Sequence, residues 1–180
     1  GQALRFLLEI YVTEKDWPKA VETAKALERR SSEPLNKEIA NYYCELAAGE
    51  YAHSRPHEAR EYLDKALQET RKCVRAHVML GDWAAKASQH TEAVEQWKKV
   101  EGQNPAYLFL VADRLLQSYR TLGRAQEGLT LLRGFQERYP AMGLLDAAFQ
   151  ATLEGEGAQS AYRLAREELR RNPTLPGLDK

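Results

Sequence analysis

His53 and His57 stand four residues apart, a spacing that would set two imidazoles on one helix face as metal ligands. Pro56 lies between them, and Ser54-Arg55-Pro56 reads as a turn, so the pair is expected at the surface and not around an ion. Cys73 and His77 have the same spacing, yet two ligands fall short of the four that a structural zinc site uses, and they read as packing residues. Glu167 and Glu168 form an acidic pair of the kind used in proton transfer, but Arg163, Arg166, Arg170 and Arg171 surround them. That stretch reads as an amphipathic helix whose basic end suits its C-terminal dipole, with the arginines as a candidate contact for anionic lipid or phosphate. No glycine-rich phosphate loop, nucleophile elbow or metal-binding cysteine set is present. Cys44 and Cys73 lack a CxxC spacing, so free thiols in a reducing compartment are expected, without a disulfide. The expectation is a chain that is not an enzyme and that carries no cofactor or metal of its own.

These side chains hang on a repeating helical pattern. The run His77-Val78-Met79-Leu80-Gly81-Asp82-Trp83-Ala84, followed by Ala93, Trp97, Val100 and Pro105, resembles a tetratricopeptide repeat in its small and aromatic positions. The small residue of the second helix recurs as Ala20, Ala59, Ala93, Gly128 and Ala161, at intervals of 39, 34, 35 and 33 residues. The spacing predicts an all-α tetratricopeptide-repeat solenoid of about five antiparallel helical hairpins, over 1–34, 40–73, 74–107, 108–141 and 142–174. Residues 175–180 read as the start of a truncated helix or a tail, and the chain as a segment of a longer one.

Within the first hairpin the helices are expected over 2–13 and from Pro18 toward Arg30, with Asp16 capping the second and Pro18 tolerated in its first turn. A longer connection over 31–36 is expected to account for the 39-residue interval. Tyr43, Leu46 and Ala47 should face inward, then Ala59, Tyr62, Leu63 and Ala66; Leu115, Leu116, Tyr119, Leu129, Leu132 and Phe135 repeat the pattern in the fourth hairpin. In the fifth, Leu145, Ala148, Phe149, Ala161, Leu164, Ala165 and Leu169 follow, while Glu154-Gly155-Glu156-Gly157 reads as a loose turn because glycine disfavours helix interiors. The small residue lets the two helices approach closely. Ala93→Trp is therefore expected to cost about 1–3 kcal/mol through overpacking; an unchanged thermal midpoint would place this register in error.

Stacked hairpins would line their first helices along a concave wall. The residues beside the core stripe are Arg5, Glu9 and Val12; Cys44, Ala48 and Tyr51; Val78, Asp82 and Lys86; Asp113, Gln117 and Arg120; Asp146, Gln150 and Leu153. Of these, Arg5, Glu9, Tyr51, Asp82, Lys86, Asp113, Gln117, Arg120 and Gln150 are the partner-binding candidates. The wall is mixed in sign and lacks the Lys, Arg and Asn cluster with which some tetratricopeptide domains clamp a chaperone's terminal carboxylate. With 26 basic and 26 acidic residues there is no global field for a polyanion, so nucleic acid is not an expected partner. No run approaches the roughly 18 apolar residues of a membrane-spanning helix.

The stretches Leu8-Glu9-Ile10-Tyr11 through Trp17-Pro18-Lys19-Ala20-Val21, then Glu38-Ile39-Ala40-Asn41-Tyr42-Tyr43-Cys44-Glu45-Leu46-Ala47, and Arg171-Asn172-Pro173-Thr174 resemble the lipopolysaccharide assembly protein B family of Gram-negative bacteria. The resemblance implies cytoplasmic repeats at the inner membrane, held by an amino-terminal anchor helix outside this segment. It also implies a rubredoxin-like domain beyond the repeats, with iron or zinc held by CxxC pairs to which Cys44 and Cys73 do not belong. The implied role is that of an adaptor helping a membrane AAA protease degrade the lipid A pathway deacetylase, with other lipopolysaccharide assembly proteins as further partners. Two alternatives stay open: a tetratricopeptide co-chaperone binding short peptides in the groove, and a metal-dependent enzyme joining His53, His57 or Cys73 to distant carboxylates. A homodimer through uncovered terminal faces or the Tyr-rich second hairpin also stays open.

Overall fold

The computed structural model describes residues 2–140, 142–171 and 173; the tail expected over 175–180 lies outside the described residues. Among the described residues ten α-helices follow one another: α1 (Gln2–Thr13), α2 (Trp17–Ser31), α3 (Asn36–Ala52), α4 (Pro56–Glu69), α5 (Val74–Lys86), α6 (His90–Gln103), α7 (Ala112–Thr121), α8 (Ala125–Arg138), α9 (Met142–Glu156) and α10 (Ala158–Arg171). A 3-10 segment, Pro105–Leu110, precedes α7, and among the described residues there is no strand. The fold is an all-α tetratricopeptide-repeat solenoid. Two compact units, Gly1–Leu80 and Gly81–Lys180, divide within α5.

Each hairpin turns on one residue in the left-handed backbone region. These are Lys15, Ser54, Ser88, Gly123 and Gly157, spaced by 39, 34, 35 and 34 residues, so the turn keeps the same period as the small core residue. At the first turn Asp16 N–H donates to the Tyr11 carbonyl at 2.8 Å and Lys15 N–H to Val12 at 3.2 Å, a Schellman closure repeated at Arg55, Gln89 and Arg124. Asp16 then opens α2 as its side chain accepts from the Lys19 N–H at 3.3 Å.

The same register corrects the fifth hairpin. Glu154, Gly155 and Glu156 are helical, and the turn is confined to Gly157, at φ 89°, whose N–H reaches the Leu153 carbonyl at 3.2 Å. The cost of one helical glycine, about 1 kcal/mol, is outweighed by tertiary packing and by the Arg133 fork on Glu156 at 3.0 and 2.8 Å. The 39-residue interval also has a different origin from the one expected. Residues 32–35 and 70–73 are equally long connections; the surplus lies mainly in α3, 17 residues against 13 in α5.

In the first unit Ala20, Val21, Ala24, Ile39 and Tyr42 form a core, with Leu8, Tyr11, Val12, Trp17, Leu35, Tyr43 and Leu46 partly buried around it. Trp17 stacks on Tyr42 at 5.9 Å between ring centroids. Tyr43 and Leu46 thus sit at the rim, while Ile39, Ala40, Tyr42 and Cys44 join Ala47 inside. The reason is that α3 packs on α2 and on α4, so its buried positions spread over more than one stripe. Tyr62 is likewise half-buried beside the fully buried Ala59, Leu63 and Ala66.

In the second unit Gly81 lies against Trp97, where an added Cβ would come 2.2 Å from the indole nitrogen. Leu115, Leu116, Tyr119, Leu129, Leu132, Phe135, Leu145, Ala148 and Ala161 are buried, whereas Phe149, Leu164, Ala165 and Leu169 are half-buried. The 3-10 segment shortens α7 to 10 residues and buries Leu108, leaving Tyr107 and Phe109 exposed. Its start is fixed by Pro105 and by the Asn104 side chain, which accepts from the Ala106 N–H at 3.2 Å.

Candidate partner-binding surface

The first helices of successive hairpins are joined by polar rungs. In the first unit Arg75 on α5 meets Glu45 on α3 at 2.8 Å and also donates to Asn41 Oδ1. In the second unit Asp82 on α5 meets Arg114 on α7 at 2.9 Å, and Arg120 on α7 pairs with Glu154 on α9. Two of these rungs, Asn41 to Arg75 and Arg120 to Glu154, span 34 residues, one repeat. Their signal in the sequence is complementary polar residues one period apart; the candidate wall includes Asp82 and Arg120 but not their partners Arg114 and Glu154, nor Asn41, Glu45 and Arg75. Each such exposed pair contributes at most about 1 kcal/mol, so a partner's own charges can displace it at little cost.

The sequence-derived positions divide accordingly. Asp113, Gln117 and Arg120 share an exposed face of α7, with Gln150 exposed on α9. Glu9 and Lys86 are exposed, Tyr51 and Asp82 half-buried, and Arg5 is tied to Glu33 in the connection that follows α2. Cys44 does not belong to the wall: it is fully buried, because α3 is enclosed on two sides.

The expected chemical pairs separate too. His53 Nδ1 lies 2.7 Å from the Gly49 carbonyl at the end of α3, and His57 faces Glu61 at 3.5 Å on α4; both are exposed. Among the described residues no cluster of three or more His, Cys, Asp or Glu is arranged to hold a metal. Glu168 is not a surface acid paired with Glu167. It is 2% exposed and 3.7 Å from Arg171, beside a cleft of about 230 Å³ between α8 and α10 that Arg133, Gln136 and Arg163 also line.

The structure also joins two residues that the sequence left apart. Cys44 and Cys73 are free thiols whose sulfurs lie 3.8 Å apart, because the residue preceding α5 sits beside the middle of α3. The hydrogen bond from Cys44, helped by the Ala76 N–H and Arg75, lowers the Cys73 thiol to about 7 against the opposing effect of burial. The same contact and its burial raise Cys44.

No protein-family model matches the chain. Over 174 residues, 96% of this chain, it is 28% identical to lipopolysaccharide assembly protein B of Escherichia coli strain K12, covering 44% of that protein. The Haemophilus influenzae protein of the same name is 35% identical over 122 residues, 68% of this chain and 31% of the relative. The resemblance is to lipopolysaccharide assembly protein B. That likeness runs through both compact units, while the chain spans less than half the length of these relatives. Among solved structures, a tetratricopeptide repeat protein from Parabacteroides merdae superposes with a TM-score of 0.54 at 16% identity, covering 97% of this chain and 68% of that one. MamA gives 0.52 at 14%, covering 99% and 95%. These two establish the repeat fold alone; the link to lipopolysaccharide assembly protein B rests on the sequence.

Proposed function

We propose that this chain is the repeat region of a non-enzymatic adaptor at the cytoplasmic face of the bacterial inner membrane. It brings a membrane AAA protease and the lipid A pathway deacetylase together, so that proteolysis limits lipopolysaccharide synthesis. The observation that supports this most is the likeness to lipopolysaccharide assembly protein B over 96% of the chain. A scaffold accelerates such an encounter by raising local concentration, without chemistry of its own. Opposed charges on neighbouring first helices offer each partner alternating donors and acceptors. The anchor helix and the iron- or zinc-bearing rubredoxin-like domain belong to the longer protein. This chain's cysteines do not fit such a metal centre, since they offer two thiols, one fully buried, and no further clustered ligands among the described residues.

Photoreactive residues at Glu9, Gln117 and Gln150, exposed positions that leave the rungs intact, test the proposal in the full-length protein in its native membrane. Covalent adducts with the protease or the deacetylase are expected at one or more positions. Adducts with chaperone tails alone, or no adduct at any of the three, would overturn it.

A further inference from the structure

We propose that Cys44 and Cys73 form a peroxide-responsive dithiol, with Cys73 attacking the oxidant and Cys44 resolving the product into a disulfide that staples α3 to the start of α5. The sulfurs are 3.8 Å apart, and a bond of ~2.0 Å requires a closure of under about 2 Å, within reach of side-chain rotation. Exposure divides the roles. Cys73 is half-buried and reachable from solvent, whereas Cys44 is sealed in the interior and meets Cys73.

The surroundings favour the same order of events. Cys73 immediately precedes α5, where the Ala76 N–H and the Arg75 guanidinium both favour a thiolate. Glu45, the acidic group that acts on Cys44, is itself tied to Arg75 at 2.8 Å. The Cys73 thiolate attacks the terminal oxygen of a hydroperoxide ROOH; the O–O bond breaks, the sulfur becomes sulfenic acid and RO⁻ takes a proton as ROH. Cys44 sulfur then attacks the Cys73 sulfur, the S–O bond breaks, and hydroxide leaves with the Cys44 proton as water. Two thiols lose two electrons and one peroxide gains them. The new bond fixes the spacing of α3 and α5 beside the rung formed by Asn41, Glu45 and Arg75. In a reducing compartment it would be transient, and a thiol reductant reverses it.

Hydrogen peroxide applied to the reduced full-length protein, followed by alkylation and peptide mapping, tests this. The expected product is one peptide pair linked through Cys44 and Cys73 within a single chain, restored to two thiols by dithiothreitol. Both cysteines still alkylatable, Cys73 driven to sulfinic acid with Cys44 free, or a link between two chains would overturn the proposal. In Cys44→Ala the oxidation is expected to stop at a Cys73 sulfenic acid that dimedone captures, and the pH midpoint for Cys73 alkylation is expected to rise with loss of the Cys44 hydrogen bond. If that variant fails to fold, iodoacetamide labelling of the native protein at neutral pH decides instead. Cys73 should react at least about tenfold faster than Cys44, as the more exposed and more acidic thiol; equal or reversed rates would sink the assigned roles.

Discussion

Phe135→Ala lowers the thermal midpoint by about 6–20 °C. Phe135 is among the largest fully buried side chains, on α8, which packs on both α7 and α9. Truncating a buried phenylalanine removes its transfer free energy and leaves a cavity, together costing about 3–5 kcal/mol. In a chain of this size each kcal/mol corresponds to about 2–4 °C. The ring also supports Arg138, whose guanidinium lies 5.5 Å from its centroid. In repeat proteins each element leans on its neighbours, so hydrogen exchange should accelerate most in α7, α8 and α9. A midpoint within about 2 °C of the parent would show that Phe135 is not the keystone its burial indicates.

Gly81→Ala is expected to destabilise by about 3 kcal/mol although alanine is the better helix former. The added Cβ would sit 2.2 Å from Trp97 Nε1 and 2.4 Å from Cδ1, and Trp97 is itself 2% exposed, so the indole has little room to retreat. Gly49 supplies the control. It lies inside α3 with open space around the position of a new Cβ, and Gly49→Ala should stabilise by about 0.4–1 kcal/mol. Denaturant unfolding of the two variants should therefore move in opposite directions. Stabilisation by both substitutions would mean that α5 and α6 do not approach as closely as the Gly81 to Trp97 contact requires.

The helical period was legible because close helix approach admits only small side chains, and Ala20, Ala59, Ala93, Gly128 and Ala161 are all buried. The Asp16 cap was legible for a similarly local reason. What escaped was set by tertiary packing or by register. Gly155 reads as a breaker on propensity alone, whereas Gly157 falls 34 residues after the turn at Gly123. Cys44 reads as a wall residue if α3 has a single inward stripe, whereas α3 packs on both α2 and α4. Its contact with Cys73 depends on how α3 lies beside the start of α5, which intervals between small residues do not encode. The candidate surface was read as single charges; the structure makes several of them halves of pairs.

The rungs between first helices carry a kinetic consequence. In the second unit each of Asp82–Arg114 and Arg120–Glu154 presents equal and opposite charge within a few ångströms. Their fields cancel beyond a short distance, and the chain as a whole is neutral. Such a face exerts little long-range electrostatic steering, so association should proceed at an ordinary rate of about 10⁵–10⁷ M⁻¹s⁻¹ and respond weakly to ionic strength. Discrimination among visitors then resides in dissociation: a partner whose charges alternate in step with the rungs stays, and one of uniform charge departs.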